Sequence, residues 1–537
     1  MFTKLLQTQF PRLLSQACRD VNSPFYGCFD RNWWHYRIRD FASIMLQQGG
    51  YTAYQYSKLE SFEAHGKNLK ELARASALFW NKRAKKRGAF EEYYPWEQGY
   101  PPLAFSTLAM AKLVLEEVIH EEEIVDGLKK AARQLQHRFE SQAGNQQVAG
   151  LAALATIRKI NPELVEEEKY LQLKEKTLAL QDEEGWYTEY DGPDLGYLSV
   201  TLDCLWDLYD ISGDEDYLQS ARRAKDFLYG FISNRNAGAG MHNARNTDYI
   251  VPYGLCRFMQ SKEEATKDKA SLVFNSIYHN IDDPGHFFHA IDDRYWSHYI
   301  GHSLARAQLI IEDLKPGKRS PEKATSAKSG QAGSALLSFS FTNSGYIFRS
   351  LNTKGLQLLV SGKKGSIFSI FNSDNPLLSD FGWIAFSGKK QYVNHWWSKD
   401  WNISEDENSI EVSGALYPHK EKTSTPILHS GLRLVSFFFG SRLTKLLRKV
   451  LIFKDKKSNI GFARRIEITK NEIEVTDTLT NVGKHMRIER APRSSKRHVA
   501  SADSWHREDW HPGAGLEIRE SIESREGKMI VRTTIPF

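Results

Sequence analysis

The sequence predicts an α+β multidomain protein: stacked helical hairpins first, an antiparallel β-sandwich second. Three observations predict it. The apolar residues recur with a period of about 3.6 in the first part and about 2 in the second. Between the parts, DLKPGKRSPEKATSAKSGQAGS (313–334) holds no large apolar residue after Leu314, which marks a linker or exposed loop. Helices then strands, instead of an alternation of the two, argues against a Rossmann or TIM-barrel arrangement. The expected domains are therefore 1–312 (helical), 313–334 (linker) and 335–537 (sandwich).

Taken in order, helical spacing is found in 103–119, 121–140, 147–160, 198–212, 216–232 and 295–311, with polar or Gly/Pro breaks between. Asp182 and Asp214 stand before such runs, and Pro162 follows Asn161 at a fresh start. After 334 come short runs rich in aromatic and β-branched residues, among them GYIFRSL, LQLLVSG, SIFSIFN, SIEVSGALY, LRLVSFFF, KVLIFKD and IEVTDTLT. Gly, Asn, Asp and Lys clusters separate them, as strands of a sandwich require.

Composition bounds the rest. The 537 residues are 41% hydrophobic and 26% charged, which excludes a largely disordered chain. No run of eighteen apolar residues predicts a membrane span, and the N-terminal segment lacks the continuous apolar core of a secretory signal. Cys18, Cys28, Cys204 and Cys256 form no CxxC pair, so neither a zinc site nor a disulfide framework is expected. A cytoplasmic protein, peripheral at the inner membrane if it meets one, fits these features. Residues 313–537 carry a net charge of +13, residues 1–312 one of −7. A basic half suits a polyanion or an anionic surface.

The richest segment is EEGWYTEYDGPDLGYLSV (183–200), a Gly/Pro-punctuated loop holding Trp186, Tyr187, Glu189, Tyr190, Asp191, Asp194 and Tyr197. Aromatic faces stack on sugar C–H surfaces and carboxylates bind hydroxyls or move protons. Glu189 with Asp191 or Asp194 would also supply the two acids of a glycosidase. Equally, an Asp here caps the following helix. A second cluster, GMHNARNTDYIVPYGL (240–255), offers His242, Asn243, Arg245, Asn246, Tyr249 and Tyr253. A cation or amide neutralises a sugar carboxylate there, and a Tyr or His shuttles the proton. Tyr249 and Tyr253, four apart, also read as helix packing.

Trp96 and Glu97 in YYPWEQGYPP form a third candidate for sugar contact. His298 and His302 lack the Glu of an HExxH site, so no metal or other cofactor is expected. DRNWWHYRIRDF (30–41) is aromatic and basic without any RNA- or DNA-binding pattern, so nucleic acid is not an expected partner. GSRLTKLLRKVLIFKDKK (440–457) has seven basic residues against one acid and follows Phe437, Phe438 and Phe439, which suggests a peripheral membrane contact through 437–457. There is no GxSxG elbow, P-loop or dinucleotide fingerprint.

This order of parts resembles the heparinase II/III-like family. SGYIFRS (344–350), SIFSIF (366–371) and PLLSDFG (376–382), with Asp380 and Gly382, look like the start of that family's β-domain. The resemblance implies an (α/α) toroid of helical hairpins followed by the sandwich, and polysaccharide lyase-like activity in surface-polysaccharide metabolism. Where the family's lyases carry a His-Ala-Asp element, this chain has Gly362, Lys363 and Lys364; His395 in VNHWW lies further on. The family's roles imply His242 or Asn243, with Arg245, for the carboxylate and Tyr249 or Tyr253 for the proton.

The expected function is lyase- or uronosyl epimerase-like action on an acidic polysaccharide or oligosaccharide. Catalytic candidates are Tyr249, Tyr253, His242, Asn243 and Arg245. Contacts to sugar are expected from Trp96, Glu97, Trp186, Tyr187, Glu189, Asp191, Asp194, Tyr197, Asn246, Lys363, Lys364 and His395. The alternatives are a glycoside hydrolase using Glu189, and a glycan-binding or scaffold protein without turnover.

Overall fold

The computed structural model describes residues 1–86, 89–232, 240–247, 249–284, 286–314, 338–351, 355–372, 376–419, 425–440, 457–494, 516 and 518–537. From residue 315 the expected linker lies outside them, as do 441–456 of the basic stretch. The helices are α1 (Thr3–Gln16), α2 (Arg31–Trp34), α3 (Gln48–Ser57), α4 (Gly66–Ala84), α5 (Tyr100–Leu115), α6 (Glu121–Gln136), α7 (Gly144–Ile160) and α8 (Glu167–Leu178). They continue with α9 (Leu195–Ser212), α10 (Glu215–Ile232), α11 (Tyr253–Arg257), α12 (Glu264–Tyr278), α13 (Phe287–Ala290), α14 (Asp293–Tyr295) and α15 (Gly301–Leu314).

Six of these close a ring. α3 packs on α5, α5 on α7, α7 on α9, α9 on α11, α11 on α15, and α15 back on α3. α4, α6, α8, α10 and α12 pack outside it, and α1 lies against α15. The sequence separates the two layers. Inner α5 and α9 are buried around most of their circumference, whereas outer α6 turns Ile124, Leu128 and Leu135 inward and its acids and lysines to water. Small residues let inner helices approach: a Cβ on Gly150 of α7 would meet the Tyr100 hydroxyl of α5 at 2.5 Å. Because inner and outer helices alternate, the inner ones all begin at one end of the ring, where the loops preceding them gather.

The strands are β1 (Phe339–Phe341), β2 (Tyr346–Ser350), β3 (Gln357–Ser361), β4 (Ile367–Phe371), β5 (Pro376–Asp380), β6 (Trp383–Ser387), β7 (Lys390–Val393), β8 (Asn402–Glu405), β9 (Ser409–Ala415) and β10 (Tyr417–His419). After α16 (Pro426–Phe439) follow β11 (Gly461–Ile468), β12 (Glu472–Thr480), β13 (Arg487–Arg490), β14 (Arg519–Arg525) and β15 (Lys528–Pro536). They form three antiparallel sheets, ordered β1-β2-β3-β4-β5, β10-β7-β6-β13 and β14-β15-β12-β11-β9-β8. LRLVSFFF, expected as a strand, is helical in α16. Pro426 opens it, the Thr425 hydroxyl accepts from the Leu428 amide, and Val435 is the lone β-branched residue in that run.

The five-stranded sheet is buried on both faces, which explains the near-continuous apolar run of β4. Ile347, Leu358, Val360, Phe368 and Ile370 join Ile410, Val412, Ile466 and Val475 of the six-stranded sheet in the sandwich core. The alternate residues Tyr346, Phe348, Leu359 and Phe371 join the helical core. Asp380 and Gly382 hold the β-domain together. Asp380 accepts from the Gly382 amide at 2.7 Å and pairs with Arg464 at 2.9 Å, and Arg464 also binds Asp477 through two bonds. No described helix is long and apolar enough to cross a membrane.

Candidate functional site

The mouth of the ring is built by the loops before α5, α7, α9, α11 and α15, and the five-stranded sheet abuts it. Asp194 sets its geometry. Its carboxylate caps α9 by accepting from the Tyr197 amide at 3.1 Å, and it also accepts from the Arg245 amide at 3.3 Å and the Thr247 hydroxyl. One buried acid therefore fixes the start of α9 and the 240–252 loop together. Glu189 is tied to α7 instead, accepting from the Asn145 amide at 2.9 Å, while its Oε2 is buried with no hydrogen-bond partner. Burial raises the Glu189 carboxyl well above the usual range, the Asn145 amide and Arg245 opposing. Burial likewise raises Asp194, with the Thr247 and Tyr197 bonds opposing.

Arg245 lies in the middle. Its guanidinium carbon is 4.5 Å from the Tyr190 ring centroid and 5.2 Å from that of Tyr197. Tyr197 meets Tyr249 edge-on at 6.2 Å, and the Tyr249 and Tyr299 hydroxyls are 2.8 Å apart. His298 continues the arc, 6.2 Å from the Tyr299 ring and 5.0 Å from Tyr295. An aromatic arc thus runs from Tyr190 to Tyr295, with Arg245 between its first two rings. Tyr190, Asp191 and Asn246 have φ of 56°, 74° and 55°, left-handed conformations that cost non-glycine residues energy and gather at this mouth. Gly192 is required there: a Cβ would meet the Trp397 ring of the β-domain at 2.7 Å.

The remaining residues of the 240–252 loop join the domains. His242 is hydrogen-bonded to Ser361 at 2.6 Å and Ser369 at 2.8 Å, and burial, then the Lys364 charge, lowers its pKa to about 3. It is a neutral ring clamped to β3 and β4. Asn243 accepts from the Leu195 amide and the Tyr346 hydroxyl, both at 3.4 Å, and donates to the Thr247 carbonyl. Lys364 is fully buried and donates to the carbonyls of Met241 and Asn243 and to Asn246 Oδ1. Asn246 also donates to the Ser494 carbonyl at 3.0 Å. Lys363 is half-exposed, reaching the Lys399 carbonyl at 3.4 Å. His395 is buried behind Lys364, bonded to the Phe381 carbonyl at 3.2 Å, and its pKa is lowered by burial and that lysine.

Other expected residues lie elsewhere. Trp186 is buried in the helical core with its N–H on Glu184 at 3.1 Å, and Glu184 in turn accepts from Ser344 of the β-domain. Tyr187 is buried against Ser220, its hydroxyl 2.8 Å from the serine's. Tyr253 faces the hub of the ring, where the Arg306 guanidinium lies 3.4 Å from its ring centroid. That hub is a buried network of Lys112, Asp207 and Arg306 around a cavity of about 20 Å³. Trp96 packs edge-on against Phe437 of α16 at 5.2 Å. Glu97 accepts from the Glu92 and Tyr93 amides, both at 2.9 Å, and burial, then Glu92, pushes its pKa up to about 7.

Sequence reasoning missed three residues of the mouth. Asn145 is buried with Oδ1 unpartnered; Tyr299 completes the phenol pair; His298 is buried with Nε2 unpartnered. His298 sits in a π-type turn, Trp296–Ile300, with φ −83° and ψ −147°. The signal for His298 was the His pair itself, read only for metal. Among the described residues no group of three or more His, Cys, Asp or Glu is arranged to hold a metal ion.

No family model matches the chain, and no curated protein does. Among solved structures it is similar to xanthan lyase from Paenibacillus, with a TM-score of 0.51 and 10% identity, covering 99% of this chain and 55% of that one. It is also similar to chondroitin AC lyase from Streptomyces coelicolor A3 in complex with chondroitin sulphate (TM-score 0.48, 9% identity, 99% of this chain, 77% of that one). A heparan sulfate lyase HepC mutant from Pedobacter heparinus follows (TM-score 0.39, 9% identity, 100% and 81%). The chain spans about half the length of the xanthan lyase structure. What is shared is the fold, an α/α toroid followed by an antiparallel β-domain.

Proposed function

We propose that this protein abstracts a proton beside the carboxylate of an acidic glycan. The carrying observation is Arg245, a buried cation between Tyr190 and Tyr197 at the mouth of the ring. Arg245 binds the sugar carboxylate and disperses the charge that develops there when the adjacent C–H bond breaks. Tyr197 takes that proton on its phenol oxygen. In elimination the electron pair forms a carbon–carbon double bond, the glycosidic oxygen leaves, and the phenol returns the proton to it. In epimerisation Tyr197 keeps the proton it took, and a proton from solvent reaches the carbon on the opposite face. Glu189, held toward its neutral form by burial, limits the negative charge facing the carboxylate.

Tyr197 takes this role because its ring lies beside the Arg245 guanidinium, whereas Tyr253 lies in the hub. The shared fold with a polysaccharide lyase supports a glycan as substrate. Trp397 of the β-domain packs against Gly192 at the mouth.

Incubation with uronate-containing polysaccharides tests the reading. Elimination yields an unsaturated, carboxylate-conjugated product seen by ultraviolet absorbance, and epimerisation yields deuterium uptake from solvent. New reducing ends without unsaturation would replace it with hydrolysis; glycan binding with neither product would leave a binding protein.

A further inference from the structure

Two sequence segments that the glycan reading does not use meet on one surface. The aromatic, basic turn 31–40 and helix α16 are some four hundred residues apart, and Arg433 of α16 pairs with Asp40 at 2.6 Å. The Ser436 hydroxyl donates to the Pro95 carbonyl at 3.0 Å, and Phe437 packs on Trp96. These contacts seat the C-terminal half of the helix on the ring.

The rest of α16 is apolar and exposed. Ile427 is 84% exposed and Phe438 69%, with Leu428, Leu434 and Phe439 also in the open. Beside it Ile38 is 73% exposed, with Tyr36. Exposed patches of this kind mark an interaction site. At about 100° per residue Ile427, Leu428, Leu434, Phe438 and Phe439 fall within about 140° of the helix, one broad apolar face, with Ser436 and Arg433 on the side seated on the ring. A helix with one apolar face and cations around it lies in the plane of a lipid interface with that face buried among the acyl chains. Fourteen residues rise about 21 Å, short of the roughly 30 Å hydrocarbon layer, so the helix dips into one leaflet and does not span.

Charge selects the lipid. α16 has no acidic residue, Arg37 and His35 are exposed on the neighbouring turn, and by sequence 441–457 adds seven basic residues against one acid. Phenylalanine, leucine and isoleucine flanked by cations are the composition of an interfacial contact with anionic headgroups. We infer that α16 and the turn at Tyr36–Ile38 dock this protein on an anionic membrane surface, which holds the mouth of the ring near that surface.

Flotation of the full chain with vesicles tests this. Phosphatidylcholine mixed with phosphatidylglycerol is compared with phosphatidylcholine alone, for the wild type, Arg37→Glu and the double variant Phe438→Glu/Phe439→Glu. Wild type is expected to float with the mixed vesicles and not with phosphatidylcholine alone. The double variant is expected to lose about tenfold or more in binding, from two exposed aromatic rings no longer buried. Arg37→Glu and added salt should each weaken it several-fold. Unchanged thermal unfolding of the double variant would show that the fold is intact, since both rings are exposed. Wild type that stays unbound overturns the inference, as does a double variant that floats like wild type. A concentration-dependent dimer abolished by the double substitution, without vesicle binding, would assign the surface to a second copy.

Discussion

The guanidinium carbon of Arg245 lies 5.2 Å from the ring centroid of Tyr197, and both residues are positioned by a single carboxylate, that of Asp194. A cation beside a carboxylate lowers the barrier to removing the adjacent proton, and a phenol next to that cation is placed to take it. Arg245→Ala is expected to lower kcat/KM on the cognate glycan by about a hundredfold or more, and Arg245→Lys to restore part of it. Tyr197→Phe should lower kcat by a similar factor with KM little changed, since the ring remains and only the proton-carrying oxygen goes. Steady-state kinetics on each variant decides this, and a Tyr197→Phe protein with full turnover removes Tyr197 from the chemistry.

Adjacent lysines in the β-domain should behave oppositely. Lys364 is buried and donates to three oxygens of the 241–246 loop, whereas Lys363 is half-exposed with one long bond. Lys364→Met removes a donor from all three, while Ser494 Oγ still donates to the Met241 carbonyl and Asn246 Oδ1, and is expected to cost about 2 kcal/mol in urea unfolding. Lys363→Met should change stability by less than about 0.5 kcal/mol. Equal effects would contradict the placement of the Lys364 ammonium.

The fold was legible because its signals are local: a period that changes, and a linker-like composition between. The site was legible only in part. Arg245, Tyr197, Glu189 and Asp194 sit in loops crowded with polar and aromatic residues, and the structure brings them together. Asn145 and Tyr299 gave no such signal: Asn145 stands just before an apolar helical run and Tyr299 within one, and each reaches the mouth only because α7 and the turn before α15 belong to one closed ring. Trp186 shows the converse. An aromatic residue in a Gly-rich loop reads alike whether it faces a ligand or, as here, the core. His242 looked catalytic because nothing in the sequence tells that Ser361 and Ser369, over a hundred residues on, occupy both ring nitrogens.

Two buried groups pull stability in opposite directions with pH. His242 is lowered from 6.5 to about 3, so below pH 6.5 the unfolded chain takes up a proton that the folded chain refuses. Stability therefore falls as pH drops through that window, by up to about 1.4 kcal/mol per pH unit. Glu97 is raised from 4.5 to about 7, so the folded chain keeps a proton that the unfolded one has lost, and stability falls as pH rises through that window. Urea unfolding across pH 4.5 to 7 should give a shallower acid limb for His242→Gln and a shallower neutral limb for Glu97→Gln. Parallel profiles for wild type and both variants would contradict these protonation states.

Glu189 separates the chemistries. In a hydrolase it would be the acid or the nucleophile, working with a second carboxylate, and Glu189→Gln would abolish turnover. Both oxygens of Asp194 are committed to the α9 cap and the 245–247 backbone, which leaves it unsuited to be that second group. In proton abstraction Glu189 is a neutral neighbour whose Oε1 holds the Asn145 amide. Glutamine keeps that acceptor and stays neutral at every pH. Glu189→Gln is therefore expected to retain turnover within about tenfold of wild type, with its pH profile flattened on the alkaline side, where the wild-type carboxyl ionises in front of the incoming carboxylate. Loss of more than about a thousandfold, with reducing ends as the wild-type product, would move the reaction to hydrolysis.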